Sequence, residues 1–283
     1  MRDSLKKMCE AAKAADLNLY SICEICNGVS ETADLVPASN CHNSYSVSKA
    51  FCVTAIGMLE DRGILNTDDL VYPILEKKFP AGFDEKWKKV TIAHVLTHTI
   101  GFEHGFLDID CEYVPDYPTT DFLSMVLQMP LRYEPGEKFV YSDAAFYLAS
   151  RIFSEKTGEM LDDFLRRELF VPMQFREYAW SKCPSGYTIG ATGLYITTTD
   201  MAKLGQMYLQ KGIYGGKRFL SEQFVEKTLG KFELTKAPYG GFAKGGMLGQ
   251  YLYLNPGEQR VIAFHGIIRN ASPATILLDA VHG

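Results

Sequence analysis

The sequence lacks both a long apolar run and an excess of basic charge. Its uninterrupted apolar stretches, such as Ala50–Val53 and Ala55–Leu59, are far shorter than the roughly 20 residues that cross a bilayer as a helix. The formal net charge is -5, and no cluster of lysine and arginine stands out. We therefore expect no membrane span and no nucleic-acid partner.

The N-terminus also lacks the features of a secretory signal. Its first residues mix charges with alanine and leucine, without the apolar segment of about 7–15 residues that such signals contain. The chain has 7 cysteines in 283 residues, an odd number that fits reduced thiols better than a disulfide framework. Both observations lead us to expect a cytoplasmic protein.

Several common functional motifs are missing. No G-x-S-x-G nucleophile elbow and no P-loop occur, so an α/β-hydrolase or a nucleotide-binding protein lacks support. Cys23 and Cys26 form a C-x-x-C, but they lie in a predicted strand, where this spacing points the two sulfur atoms to opposite faces. We therefore expect buried or edge thiols rather than a redox or metal site. His94 and His98 have the spacing of a helical zinc pair without the glutamate of H-E-x-x-H or a third ligand. We expect no metal and no organic cofactor.

The hydrophobic patterning predicts strands near both chain ends and helices between them. The predicted strands are Leu17–Cys26, Asp34–Ala38, Met247–Leu254 and Arg260–His265. The predicted helices are 2–15, 46–62, 91–99, 142–157, 159–169, 199–211, 221–229 and 272–281. The simplest arrangement is an α/β (α+β) fold, in which an antiparallel sheet built from both chain ends is flanked by helices and a mainly helical lobe is inserted.

Ser46-Val47-Ser48-Lys49 is the sharpest chemical feature of the sequence. At the start of a helix, Ser46 and Lys49 share one face and their side-chain tips can meet. Serine is a weak nucleophile unless a neighbouring base takes its proton, and a desolvated lysine can be that base. The N–H groups of the helix N-terminus would favour an oxyanion. The alternative interpretation is a serine cap beside a solvated lysine.

Four longer segments, in the same order, resemble the serine β-lactamase and penicillin-binding protein superfamily, in its branch of class C β-lactamases, DD-peptidases and esterases. They are YSVSKAFCVTAIGMLEDRGILNTDD around the serine, Thr91–Gly101, Glu134–Gly158 and Ala191–Gly212. The second resembles the "LLTHTSG" helix of that branch, and the fourth resembles its "GGLYST..DLARFG" helix. The resemblance implies a single β-lactamase/transpeptidase-like catalytic domain over 1–283, with a sheet lobe (1–45 and about 180–283) and a helical lobe (about 46–180).

By this resemblance, Ser46 is the nucleophile and Lys49 is its partner base. The family's Tyr-x-Asn motif falls on Tyr141-Ser142-Asp143, which implies that Tyr141 carries a proton to the leaving group. Asp143 stands where the family has asparagine. A carboxylate can accept from Lys49 but cannot donate as an amide does. A degraded S-D-N frame that begins at Ser142 is the alternative.

The family's third motif, Lys-Thr/Ser-Gly or His-x-Gly, has two candidates: Lys244-Gly245-Gly246 and His265-Gly266-Ile267. We prefer the first, because the following MLGQYLYLNPGEQRVIAF resembles the hairpin after the motif. Glycines there let the strand backbone approach a substrate. The family geometry then implies an oxyanion hole formed by the backbone N–H groups of Ser46 and Met247.

The resemblance implies a serine hydrolase that acts through an acyl-enzyme on a small ester or amide, most consistent with a β-lactamase-like carboxylesterase. A β-lactamase or a D-Ala-D-Ala carboxypeptidase is the alternative, because the motifs are shared and pocket loops decide the substrate. A catalytically silent peptide-binding protein of the same fold is a second alternative, since Asp143 and Gly245 depart from the family pattern. The expected partner is a small-molecule ester, β-lactam or peptide substrate.

Overall fold

Residues 1–37, 39, 41–269 and 271–283 are described in a computed structural model. Backbone contacts divide the chain into two units. The first unit comprises Met1–Ala50, Phe170–Ala179 and Leu194–Gly283, and the second comprises Phe51–Leu169 and Trp180–Gly193. Within the part of the chain that is described, no helix combines the length and the apolar character needed to cross a membrane.

The described residues form ten α-helices and eleven strands. The helices are α1 Asp3–Ala14, α2 Ser48–Asp61, α3 Val71–Leu75, α4 Ile92–Leu96, α5 Phe122–Gln128, α6 Asp143–Thr157, α7 Leu161–Leu165, α8 Thr198–Leu209, α9 Glu222–Thr228 and α10 Pro273–His282. The strands are β1 Leu19–Cys26, β2 Val29–Asp34, β3 Cys41–Asn43, β4 Tyr178–Trp180, β5 Leu194–Thr197, β6 Ile213–Tyr214, β7 Lys217–Arg218, β8 Thr235–Lys236, β9 Phe242–Gly246, β10 Gln250–Asn255 and β11 Arg260–Gly266.

The first unit contains a six-stranded sheet with the order β2-β1-β11-β10-β9-β8. Strands from the two chain ends pair directly, since β1 is antiparallel to β11 with Ile22 opposite Phe264. The hairpins β1–β2 and β10–β11 extend the same antiparallel pattern. The predicted antiparallel sheet built from both chain ends is confirmed.

Helices cover both faces of this sheet. Helices α1 and α10 pack on one face, where Leu5 and Leu277 share a core with Phe264. Helix α8 packs on β1, β10 and β11. An added Cβ at Gly205 of α8 would lie 2.7 Å from a Val261 methyl carbon, so glycine permits this close helix–sheet contact. Apolar contact on both faces explains why the strands at the sheet centre are buried.

The second unit is mainly helical and is organised around α6. This helix contacts α3, α4, α5 and α7, and its residues Asp143–Ser154 are all buried. Ser142 is its N-cap residue and Gly158, with φ +74°, ends it in the left-handed conformation. The predicted helix over 142–157 is therefore confirmed, and Tyr141 and Asp143 lie at its start.

Two strand predictions are wrong in position. The second strand runs over Val29–Asp34 rather than Asp34–Ala38, because the two-residue turn Asn27-Gly28 returns the chain at once; Ala38 lies outside the described residues. Strand β10 begins at Gln250 rather than Met247. Leu248 (φ +59°) and Gly249 (φ +90°) form a left-handed turn after Met247, which interrupts the extended backbone.

Candidate active site

Ser46 and Lys49 are brought together as their spacing predicts. Ser46 lies in a 3₁₀ turn over Tyr45–Val47 that leads into α2, so the α-helix itself begins two residues later than expected. The Lys49 Nζ donates to Ser46 Oγ at 3.1 Å. Ser46 is only partly buried, whereas Ser48 and Lys49 are fully buried. The pair thus joins a partly exposed serine to a lysine that is shielded from solvent.

The end of β9 packs against the turn that carries Ser46. An added Cβ at Gly246 would lie 2.5 Å from the Ser44 carbonyl oxygen. Any residue other than glycine would therefore require a backbone shift at this position. Gly245 is different, because the nearest atoms to an added Cβ belong to the Tyr251 ring at 3.7 Å. Gly246 is therefore required by close approach, while position 245 has room for a side chain.

Lys244 of β9 forms an ion pair with Glu233. Both side chains are nearly buried, with 11% of the lysine and 5% of the glutamate exposed. Glu233 has a left-handed backbone, with φ +57°. The positive charge of the third-motif candidate is therefore compensated by a carboxylate of the same unit.

His265, the rival third-motif candidate, lies inside the first unit. It is fully buried, and its Nδ1 is 2.6 Å from Gln250 Oε1. Burial, with a smaller effect of the nearby His42, lowers the pKa of His265 to about 3. Its imidazole is therefore neutral at physiological pH and belongs to the interior of the sheet-bearing unit.

In the second unit, Tyr141 precedes α6 with 42% of its surface exposed. Its ring contacts that of His98 in a tilted arrangement, with a centroid distance of 4.5 Å. Asp143, the first residue of α6, is buried with 6% exposed. Ser142 uses its hydroxyl locally, since Oγ donates to the Phe106 carbonyl oxygen and accepts from the Phe106 amide, both at 3.2 Å. Tyr141 is thus the exposed member of the three.

Among the described residues, one group has the ligand types and spacing for a cation: Asp108, Asp110 and Asp143, with ligand atoms within 4.8 Å of one another. Acidic groups often lie this close without an ion, and we assign no metal to them.

The two histidines with helical spacing, His94 and His98, accept hydrogen bonds from different backbone amides. His94 Nδ1 accepts from the Thr91 amide, and His98 Nδ1 accepts from the Ser142 amide.

Comparison with known proteins decides the family. A sequence model described as beta-lactamase matches residues 28–271, which is most of the chain. The chain belongs to the beta-lactamase family. The β-lactamase-like fold that the sequence resemblance implies is therefore confirmed.

Beta-lactamase-family relatives are distant in sequence and close in fold. PbpX of Bacillus subtilis (strain 168) is 25% identical over 256 residues, which are 80% of this chain and 62% of PbpX, so the chain spans less than two thirds of that relative. The octameric penicillin-binding protein homologue from Pyrococcus abyssi has a TM-score of 0.75 at 19% identity, over 99% of this chain and 77% of that one. A family VIII carboxylesterase has a TM-score of 0.76 at 15% identity, over 99% and 97%. Identities this low show the shared fold alone.

Sequence reasoning on this beta-lactamase-family chain missed the contacts that three residues make with predicted site residues or their neighbours. Glu233 neutralises Lys244, Gln250 bonds to the turn after Gly246, and His98 contacts Tyr141. No local motif marks Glu233 or Gln250. His98 stood out in the sequence for its spacing from His94 and for the family-like segment around it, but neither signal predicts its contact with Tyr141.

Proposed function

We propose that this beta-lactamase-family chain is a serine hydrolase that forms an acyl-enzyme on Ser46. The observation that carries the proposal is the 3.1 Å contact between Ser46 Oγ and Nζ of the buried Lys49. In its unprotonated form, the amine takes the hydroxyl proton across this contact while Oγ attacks a carbonyl carbon. A tetrahedral intermediate with a negatively charged oxygen results.

The backbone N–H groups of Ser46 and Met247 stabilise this oxyanion. Preorganised donors aimed at a developing charge are a large source of rate enhancement in acyl transfer. The close approach of Gly246 to the Ser44 carbonyl supports the assignment, because it brings the backbone before Met247 next to the turn that carries Ser46. The burial of His265 supports the choice of Lys244–Gly246 as the third motif.

Tyr141 has the second proton-transfer role, which the family pattern gives to this position. It delivers a proton to the leaving group as the tetrahedral intermediate collapses to the acyl-enzyme. In this scheme Asp143 takes the place of the asparagine of the family motif. Water then attacks the acyl carbon, and the carboxylic acid leaves as Ser46 regains its proton. The exposure of Tyr141 supports this role, since the phenol has to reach a substrate.

The substrate we propose is a small neutral ester, as for a carboxylesterase. Gly245 lacks the hydroxyl that related enzymes use beside the lysine for a substrate carboxylate, and Glu233 compensates the Lys244 charge. A β-lactamase or a D-Ala-D-Ala carboxypeptidase, which binds a carboxylate there, is the alternative. A catalytically silent peptide-binding protein of the same fold is the second alternative.

Covalent labelling tests the proposed function. Intact-protein mass spectrometry after incubation with a fluorophosphonate should show one adduct, and peptide mapping should place it on Ser46. Ser46→Ala should lose both the adduct and ester hydrolysis, while Ser48→Ala should still be labelled. Ser48 is a matched control because it lies in the same segment and is fully buried. An adduct on Ser48, or none on the native protein, contradicts the assignment.

A further inference from the structure

Gln250 links two backbone segments of the first unit through one buried side chain. It is 2% exposed. Its Nε2 donates to the carbonyl oxygens of Gly266 at 2.6 Å, Met247 at 3.3 Å and Leu248 at 3.5 Å. Its Oε1 accepts from the Gly266 amide at 3.3 Å and from His265 Nδ1 at 2.6 Å. The amide group therefore uses both its donor and its acceptor side.

The turn that Gln250 holds has an unfavourable backbone. Leu248 has φ +59°, a left-handed conformation that non-glycine residues seldom adopt, and Gly249 follows with φ +90°. Such a conformation persists where surrounding contacts stabilise it. The Leu248 carbonyl accepts a second bond, from the Ile268 amide at 2.9 Å. Gln250 and Ile268 together keep this turn in one conformation.

Met247 is thereby held from both sides. Before it, Gly246 is paired with Gln250 in the β9–β10 ladder and lies against the Ser44 carbonyl. After it, the carbonyl groups of Met247 and Leu248 point at Gln250 Nε2. Since peptide units are planar, fixing the units on either side of the Met247 Cα also fixes the direction of its N–H.

We propose that Gln250 is a positioning residue that aims the Met247 N–H at the substrate oxyanion. This inference rests on the proposed function, in which that N–H is an oxyanion-hole donor. Oxyanion donors contribute only when they are preorganised, so a turn that samples other conformations lowers kcat more than substrate affinity. His265 supports the arrangement by donating to the Gln250 oxygen, which orients the amide.

Substitution of Gln250 tests the proposal. Gln250→Met keeps the size and removes the hydrogen bonds, and Gln250→Glu keeps an acceptor oxygen at the Oε1 position and replaces the NH2 donor group with a second oxygen. The matched control is Gln206→Met, because Gln206 is a buried glutamine of α8 in the same unit. Its Oε1 has no hydrogen-bond partner among the described residues. Three quantities are measured: kcat and KM for p-nitrophenyl butyrate, the inhibition constant of phenylboronic acid, and the melting temperature.

We expect kcat to fall by about ten- to hundredfold in both Gln250 variants, with a much smaller change in KM. Phenylboronic acid forms a tetrahedral serine adduct, so its affinity should fall by a similar factor. Gln206→Met should keep both values near those of the native protein. A purely structural role would lower the melting temperature and leave kcat and boronate affinity of the folded variant unchanged.

Two results overturn the inference, and they are distinguishable. If either Gln250 variant folds and keeps native kcat and native boronate affinity, Gln250 does not position the donor, although the proposed function stands. If the native protein hydrolyses no ester and acquires no fluorophosphonate adduct on Ser46, the proposed function fails and the inference fails with it. Should Gln250→Met not fold, the same criteria apply to Gln250→Glu.

Discussion

The imidazole of His98 lies against the phenol ring of Tyr141, with ring centroids 4.5 Å apart. The same residue holds the backbone on both sides of that tyrosine. Its Nδ1 accepts from the Ser142 amide at 3.3 Å, and its carbonyl oxygen accepts from the Val140 amide at 2.8 Å. His98 is buried and has φ +55°. One residue thus contacts the ring of Tyr141 and bonds to the backbone on either side of it.

Substitutions of His98 separate its acceptor from its ring. His98→Asn keeps an acceptor near the Nδ1 position and suits a left-handed backbone, whereas His98→Phe keeps an aromatic ring and loses the acceptor. We expect the asparagine variant to retain the higher kcat for p-nitrophenyl butyrate, because the Ser142 amide stays bonded. Steady-state kinetics on protein shown to be folded by circular dichroism provides the comparison. Equal kcat values for the phenylalanine variant and the native protein would refute this role.

Removal of the proton-transfer groups should have large effects that do not add. Lys49→Ala and Tyr141→Phe should each lower kcat by about 10²–10⁴, the usual scale for a general acid or base. The double variant should be little worse than the poorer single variant, since both groups act on one proton path. Tyr113→Phe serves as the control, because Tyr113 is a tyrosine of the same unit with 71% of its surface exposed. If Tyr141→Phe keeps the native kcat, the role proposed for Tyr141 is wrong. The alternative S-D-N motif that begins at Ser142 should then be tested.

Substrate preference should favour neutral esters over carboxylate-bearing β-lactams. We expect kcat/KM for a short-chain p-nitrophenyl ester to exceed that for a chromogenic cephalosporin. A hydrogen bond to a charged group contributes roughly 1.5–3 kcal/mol, or about 10- to 100-fold, and position 245 lacks the donor. Gly245→Thr should narrow the gap, and the space around Gly245 accommodates the new side chain.

Gly245→Val is the matched control for that substitution, because valine has the shape of threonine without its hydroxyl. It should leave the ratio of the two kcat/KM values closer to that of the native protein than threonine does. Faster hydrolysis of the cephalosporin than of the ester by the native protein would overturn the substrate assignment.

Acid should destabilise the fold through His265. Burial lowers its native pKa to about 3, while an unfolded histidine titrates near about 6.5. Between these values the unfolded chain binds more protons, so the free energy of unfolding decreases as the pH falls, by at most about 1.4 kcal/mol per pH unit from this group. Urea denaturation at pH 7.5, 6 and 5 measures the slope. His265→Asn should flatten it, whereas replacing the exposed His104 in the same way should not. Equal slopes for His265→Asn and the native protein would show that this histidine is not the cause.

Local features of the sequence determined a large part of this protein. The contact of Ser46 with Lys49 follows from a spacing of one helical turn, which brings the two side chains together wherever the helix packs. The C-terminal bound of α6 follows from Gly158, whose freedom to adopt a left-handed backbone is a local property of glycine. Apolar strand-like runs at both chain ends, joined by turn signals, were sufficient to predict their sheet.

Tertiary structure alone decided the contacts between residues that are distant in sequence. The pairing of Glu233 with Lys244, and the bonds of Gln250 to Gly266, depend on how strands and turns are placed beside one another. The contact of His98 with Tyr141 depends on how two separate segments meet at the start of α6. Periodicity reports which face of an element is buried, but it does not specify the partner of a polar side chain. That partner is set by backbone positions that exist only after folding, so these residues became recognisable only in the structure.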